Sequence, residues 1–376
     1  MTPPYSSVFL LTISPKSPKL FLSYGFEVAA MKRIYSIDLY KLVFAYIIAF
    51  FHYGTTISPG PTAAVQIFFI LSGFFLARKY YARSHGREGY TQWDYTLDHV
   101  KALYPHYLLS LGMLFGYNLA RALVYLVKDP SWEALQDIFL RLYELIPELT
   151  LLHTSHTWYD PLNYPLWQIS ALLIAGYFVY GLLCHNEKLS RTLLFPAAIL
   201  MIQSLLSTGV DIWGNYGLFF LPLLRAFGPM CIGVLAYYFT TLPYYKSLTK
   251  HRFAFNLAVL YALVSIFIYA EYRNIFLVTT VVLLWGFWEE RSWVNRLFNH
   301  RIFRFCGDLS LAVYMNHALV SRFLLARVYI PLENAGTPAP LWQKNAVYFL
   351  LLTACSVVTM TMVAKWKKWR RQKAVL

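Results

Sequence analysis

The chain has 376 residues, 58% of them hydrophobic and only 14% charged, with a mean hydropathy of +0.46. A water-facing globule of this size cannot present that composition to solvent, so most of its surface must meet lipid. The formal net charge of +15 does not indicate nucleic acid, because Lys and Arg sit in short segments between apolar runs and form no stripe interleaved with aromatics.

Residues 1–30 hold an apolar patch, Val8 to Ile13, too short for a signal-peptide core and followed by lysines instead of preceded by them. Met31-Lys32-Arg33 looks like a more natural start, so 1–30 is expected to be an extension outside the fold. Apolar runs near or above the ~18-residue spanning threshold follow at about 34–54, 62–81, 102–127, 164–184, 192–208, 217–240, 254–271, 274–288, 308–329 and 345–364. The expected fold is therefore all-α and polytopic, with about ten transmembrane helices in a domain over 31–365. A basic tail, 366–376, follows; Trp366 and Trp369 among its cations suit an anchor on the inner leaflet.

The loops set the orientation, since cytoplasmic connections carry the excess of Lys and Arg. With the N-terminus inside, the inside segments hold Lys32, Arg33, Arg78, Lys79, Arg83, Arg87, Lys101, Lys188, Arg191, Lys246, Lys250, Arg252, Arg291, Arg296, Arg301, Arg304 and the basic tail. The longest outside loop, 128–163, has only Lys128 and Arg141 against Asp129, Glu133, Asp137, Glu144, Glu148 and Asp160. Both termini are thus expected in the cytoplasm. Within that loop, Ala134–Leu152 mixes charged and apolar residues at helical spacing, the pattern of an interfacial amphipathic helix.

An ionisable residue inside a membrane helix costs roughly 2.5–3.5 kcal/mol or more, so each needs a partner, a cavity or a task. The first span carries Asp38 and Lys41 near its start and His52 near its end. Eleven residues at ~100° bring Lys41 and His52 onto one face about 16 Å apart, and Asp38 can pair with Lys41. The bland alternative is a structural ion pair with His52 as an end cap. On the functional alternative this face lines a polar channel, with a cation at one depth and a base at another. In the second span, Ser72-Gly73 favours close helix packing over direct chemistry. Arg225, ahead of Gly228-Pro229, suits a structural salt bridge or a ligand phosphate or carboxylate equally well. Ser310, Tyr314 and His317 are spaced four and three apart and share a face. Cys184, Cys231, Cys306 and Cys355 have no CxxC spacing and read as reduced filler. His153 and His156 have a metal-like spacing but no third ligand, so no metal is expected.

Three ordered stretches resemble membrane acyltransferase family 3, the integral-membrane O-acetyltransferases of bacterial surface glycans. The opening Asp38, Lys41 and His52 look like its Asp-x-x-Arg-x10-His signature. Phe68, Phe69, Ser72, Gly73 and Phe74 match its Phe-Phe-x-x-Ser-Gly-Phe. Gly307, Ser310, Tyr314, Met315 and His317 are similar to its Gly-x-x-Ser-x-x-x-Tyr-Leu-x-His. The resemblance runs from about Ile34 to Tyr348. It implies a bacterial inner-membrane enzyme that takes acetyl from cytoplasmic acetyl-CoA and delivers it to a hydroxyl of an extracytoplasmic or lipid-linked polysaccharide. On that basis the catalytic candidates are His52, Lys41 and His317. Lys41, Lys101 and Arg225 would meet the donor, and Ser72, Tyr314 and Trp167 the substrate. The chain departs from the pattern in three places. Lys41 stands where the family has Arg, keeping the charge and losing the bidentate fork. The family's Arg-x-x-Arg before Tyr-Pro is here Asp98-His99-Val100-Lys101-Ala102-Leu103-Tyr104-Pro105, and Leu172 replaces an acidic residue after Trp167. A transporter, whose substrate path would also carry buried charges, and an inactive scaffold of the same fold are the competing possibilities.

Overall fold

A computed structural model describes residues 33–84, 89–151, 162–207, 215–216, 219–268 and 273–373. The expected extension, 1–30, and the pair His153 and His156 lie outside the described residues. Ile34–Leu376 forms one compact unit, and it is built almost wholly from helices. In chain order these begin with α1 (Tyr35–His52), α2 (Pro61–Ser84), α3 (Gln92–Lys128), α4 (Trp132–Leu149) and α5 (Trp167–Leu189). They continue with α6 (Phe195–Ser207), α7 (Leu221–Thr240), α8 (Pro243–Lys250), α9 (Arg252–Ile268) and α10 (Arg273–Trp288). The last four are α11 (Trp293–Phe298), α12 (Arg304–Leu324), α13 (Ile330–Asn334) and α14 (Leu341–Lys373). Between α6 and α7, Asn215–Tyr216 and Phe219–Phe220 pair as a minimal antiparallel ribbon.

Among the described residues, seven helical stretches are long and apolar enough to cross a bilayer, and an eighth is added if α8 and α9, bent by 93° between them, count as one. The sequence leads one to expect ten. The difference has two sources. The apolar runs at 164–184 and 192–208 fall in one continuous helical stretch, Tyr164–Leu205, and α9 and α10, of 17 and 16 residues, fall short of 18. The stretch of 42 residues is not straight. Asn186 leaves helical geometry (φ −154°, ψ 90°), and its side-chain carbonyl accepts the N–H of Leu189 at 3.0 Å, as a helix N-cap does. The Ser190 hydroxyl then reaches the carbonyl of Leu182 at 2.8 Å. Eight residues along a straight helix are about 12 Å apart, so the chain folds back sharply at Asn186.

The scaffold is pinned by a glycine contact. A methyl group at Gly73 of α2 would overlap the backbone carbonyl of Met230 in α7, and one at Gly233 of α7 would overlap the carbonyl of Ile70. The two backbones touch, the small-residue packing expected for the Ser72-Gly73 stretch.

α4 occupies the place expected for an amphipathic helix, with its faces used in an unexpected way. Phe139, Tyr143 and Ile146 are exposed, whereas Glu144 and Glu148 are 1% and 0% exposed. An interfacial helix should turn its charges to water. Here Arg141 pairs with Glu144 at 3.0 Å, and Tyr107 of α3 donates to Glu148, so the acidic face is satisfied inside the protein.

Candidate active site

α1 and α12 pack along their length, and the recognisable residues of both helices meet at that seam. At one end, Lys41 helps line a cavity of about 280 Å³ walled by α1, α2, α3, α5 and α12. Phe68, Leu103, Ile169, Leu172 and Leu311 make its apolar surface, and Ser72, Gln168, Ser310 and Tyr314 its polar points. The Lys41 ammonium stands 5.2 Å from the centre of the Phe75 ring. Ser72 and Ser310 donate to the carbonyls of Phe68 and Gly307 one turn back. Their hydroxyl protons are therefore occupied, and their oxygens keep lone pairs that can still accept. Gln168, also in the lining, is 6% exposed, and among the described residues its Oε1 has no hydrogen-bond partner.

Tyr314 closes this cavity toward the other end. Its hydroxyl donates to the carbonyl of Pro165, and its own carbonyl accepts Nδ1–H of His317 at 2.6 Å. A carbonyl can only accept, so Nδ1 of His317 carries the proton, and in the neutral ring Nε2 presents a lone pair. Among the described residues that Nε2 has no hydrogen-bond partner. The His317 ring is 0% exposed and stacks on His52, with centroids 5.1 Å apart and planes at 26°. Tyr164, just before α5, meets His52 edge-on, and its hydroxyl shares a 3.1 Å hydrogen bond with His52 Nδ1. Backbone contacts hold the assembly. Ser321 donates to the carbonyl of His52, and Tyr348 of α14 donates to those of Ala49 at 3.0 Å and His317 at 3.4 Å.

Lys41, Ser72 and Tyr314 thus share one cavity, and the Tyr314 carbonyl links it to His317 and, through the stacked rings, to His52. The structure leaves three of the sequence candidates elsewhere. Lys101 is exposed and lines no part of the cavity, because its neighbour Leu103 takes the inward position. Nδ1–H of His99, two residues before Lys101, donates to the carbonyl of Tyr95 in its own helix at 2.8 Å. Arg225, 3% exposed, lies over the ring of Trp167 at 5.4 Å, so these two are partners of each other outside the cavity wall. Tyr164, Gln168 and the carbonyl of Pro165 are parts of the site that pattern alone does not single out.

Several helices apolar and long enough to cross a bilayer, packed around a largely apolar cavity with a buried imidazole pair beside it, are consistent with a multi-pass membrane protein. The model of the acyltransferase domain family matches residues 34–365, and the chain belongs to acyltransferase family 3. Comparison with curated proteins found no match, and comparison with solved structures found none.

Proposed function

We propose that this acyltransferase moves acetyl from acetyl-CoA, supplied at the Lys41 end, to a hydroxyl of an extracytoplasmic or lipid-linked polysaccharide at the His52 end. The observation that carries this reading is a run of contacts from a cation to a histidine pair: Lys41 and Tyr314 line one narrow apolar cavity, and the Tyr314 carbonyl accepts from His317, which stacks on His52. A cavity of about 280 Å³ admits a slender acyl-bearing arm and leaves the nucleotide of the donor outside. Lys41 meets the anionic or carbonyl oxygens of that arm.

His52 is the half-buried member of the pair and His317 the fully enclosed one, so a bulky glycan can reach His52 alone. In the reaction the acceptor oxygen bonds to the acetyl carbon and the carbon–sulfur bond breaks. The hydroxyl proton passes to the imidazole, and the leaving thiolate takes up a proton to become the thiol. A transient acetyl-imidazole on His52 gives the same net exchange in two steps. His317, fixed through Nδ1, holds the stacked partner ring and supplies a second lone pair.

Ten crossings with both termini in the bacterial cytoplasm complete this reading. It is supported by the reversal at Asn186, which divides one helical stretch into two, and by the positive charge of the inside loops. In it α4 lies outside, and the basic end of α14, which continues its span unbroken to Lys373, projects from the inner leaflet. Residues 1–30 remain an extension that the reaction does not need.

The test uses sealed membrane vesicles of both orientations, radiolabelled acetyl-CoA, and the surface-glycan fraction of the producing cells. Label should enter glycan only where the donor meets the cytoplasmic face, and tags on both termini should be digested in that same preparation. Transfer from the opposite face, or uptake of glycan without acetylation, contradicts the proposal and favours a transporter.

A further inference from the structure

Tyr164 is 36% exposed, yet its hydroxyl sits 3.1 Å from His52 Nδ1. A half-exposed side chain on an untethered segment would not hold that position, because ordering it costs conformational entropy. The segment is held instead by three bonds close together in the chain. The backbone N–H of Asn163 donates to Glu148 Oε1 at 3.2 Å, and the Asn163 side-chain amide donates to the carbonyl of Met315 at 3.3 Å. Two residues on, the carbonyl of Pro165 accepts the Tyr314 hydroxyl.

Two of these anchors belong to α12, which already carries His317. The third comes from α4, a helix with no residue in the cavity wall. Glu148 is itself seated on α3: Tyr107 donates to its Oε2 at 3.1 Å and to its carbonyl at 2.6 Å, while Ser110 of the same helix donates to the carbonyl of Met315 at 2.6 Å. A fully enclosed carboxylate is costly unless its oxygens are used, and one of them is used on the residue next to Tyr164.

We propose that Glu148 is a positioning residue. Its carboxylate fixes the N–H of Asn163, that fixes Tyr164, and Tyr164 fixes the His52 ring for reaction. The consequence for turnover rests on the acyl-transfer reading, but the positional claim does not.

The experiment measures carbethoxylation of His52 by diethyl pyrocarbonate in the full-length, solubilised protein, read by peptide mass spectrometry with exposed His185 as internal control. Tyr164→Phe should speed modification of His52, and Glu148→Asp, which keeps the charge but withdraws the oxygens by one methylene, should speed it to the same extent. Glu148→Gln retains an acceptor for Asn163 and should restore the native rate. The Glu148→Asp, Tyr164→Phe double variant should exceed neither single one. With acetyl-CoA as donor, Glu148→Asp should lower kcat by up to about 100-fold, the scale of a small misplacement of reacting groups, and leave the donor KM unchanged.

If Glu148→Asp does not accumulate as folded protein, Tyr107→Phe, which removes one donor from the carboxylate, takes its place with a smaller rise. A native His52 rate in Glu148→Asp beside a raised one in Tyr164→Phe overturns the proposal, as does a native rate in Tyr164→Phe. Labelling needs no acyl donor, so it reports on this relay even where acetyl transfer by the native chain fails and the proposed function with it.

Discussion

Two helix pairs dominate the packing, α2 with α7 and α1 with α12, and they use closeness for different ends. Gly73 and Gly233 bring the backbones of α2 and α7 into contact with no room for a side chain between them. The seam of α1 and α12 is instead filled by His52, His317 and Tyr314, and its hydrogen bonds run to backbone carbonyls from Ser321 and Tyr348. Without water in the bilayer, buried polar groups must find partners inside the protein. At its closest point the first pair has no side chain to satisfy, and the second spends backbone carbonyls on side-chain donors. A close backbone contact in one pair thus stands beside a polar seam in the other.

The sharpest way to break this contrast is at the glycines. Gly73→Ala or Gly233→Ala places a methyl group on backbone atoms that cannot turn aside, so the penalty should exceed the ~1–3 kcal/mol of ordinary overpacking. Either variant should lose most of its folded protein, measured as membrane abundance and detergent-resistant monodispersity. Ser72→Ala, one residue away, removes only a hydroxyl bonded to its own helix and should keep native abundance. Equal abundance of Gly73→Ala and the native chain would show that the α2–α7 contact yields.

Both pairs are partly legible in the amino-acid sequence. The periodic apolar runs mark the helices, and Asp38, Lys41, His52, Ser72, Tyr314 and His317 stand out because polar side chains in apolar helices need a reason. What the pattern leaves hidden has a common physical cause. Pro165 takes part through its carbonyl, which every residue has, and Tyr164 and Gln168 are ordinary residues at a helix start, given meaning only by what lies opposite. Glu148 reads as one of six acidic residues in an outside loop until the fold turns it inward. Lys101 and Arg225 err the other way: a cation near the right depth is visible in the sequence, but the face it occupies depends on helix rotation. The reversal at Asn186 takes a single non-helical residue, where the charges of 185–191 suggest a longer connection.

Smaller effects sharpen the difference between the two ends of the α1–α12 seam. Lys41→Ala should raise the KM for acetyl-CoA by about 10- to 100-fold, the loss of a charge-assisted hydrogen bond of about 1.5–3 kcal/mol, with little change at saturating donor. Lys41→Arg keeps the charge and adds a fork, so it should stay within about threefold of native or improve on it. A Lys41→Ala defect seen only in saturation by the glycan acceptor would move this residue out of the donor path.

The central claim is that the His52 end performs the transfer. It is tested most directly by acetyl transfer from radiolabelled acetyl-CoA to glycan in membranes carrying His52→Ala at native abundance. The account predicts a fall of about 10²–10⁴-fold in turnover, the contribution of a positioned general base, with donor KM close to native. Near-native turnover in His52→Ala would contradict it.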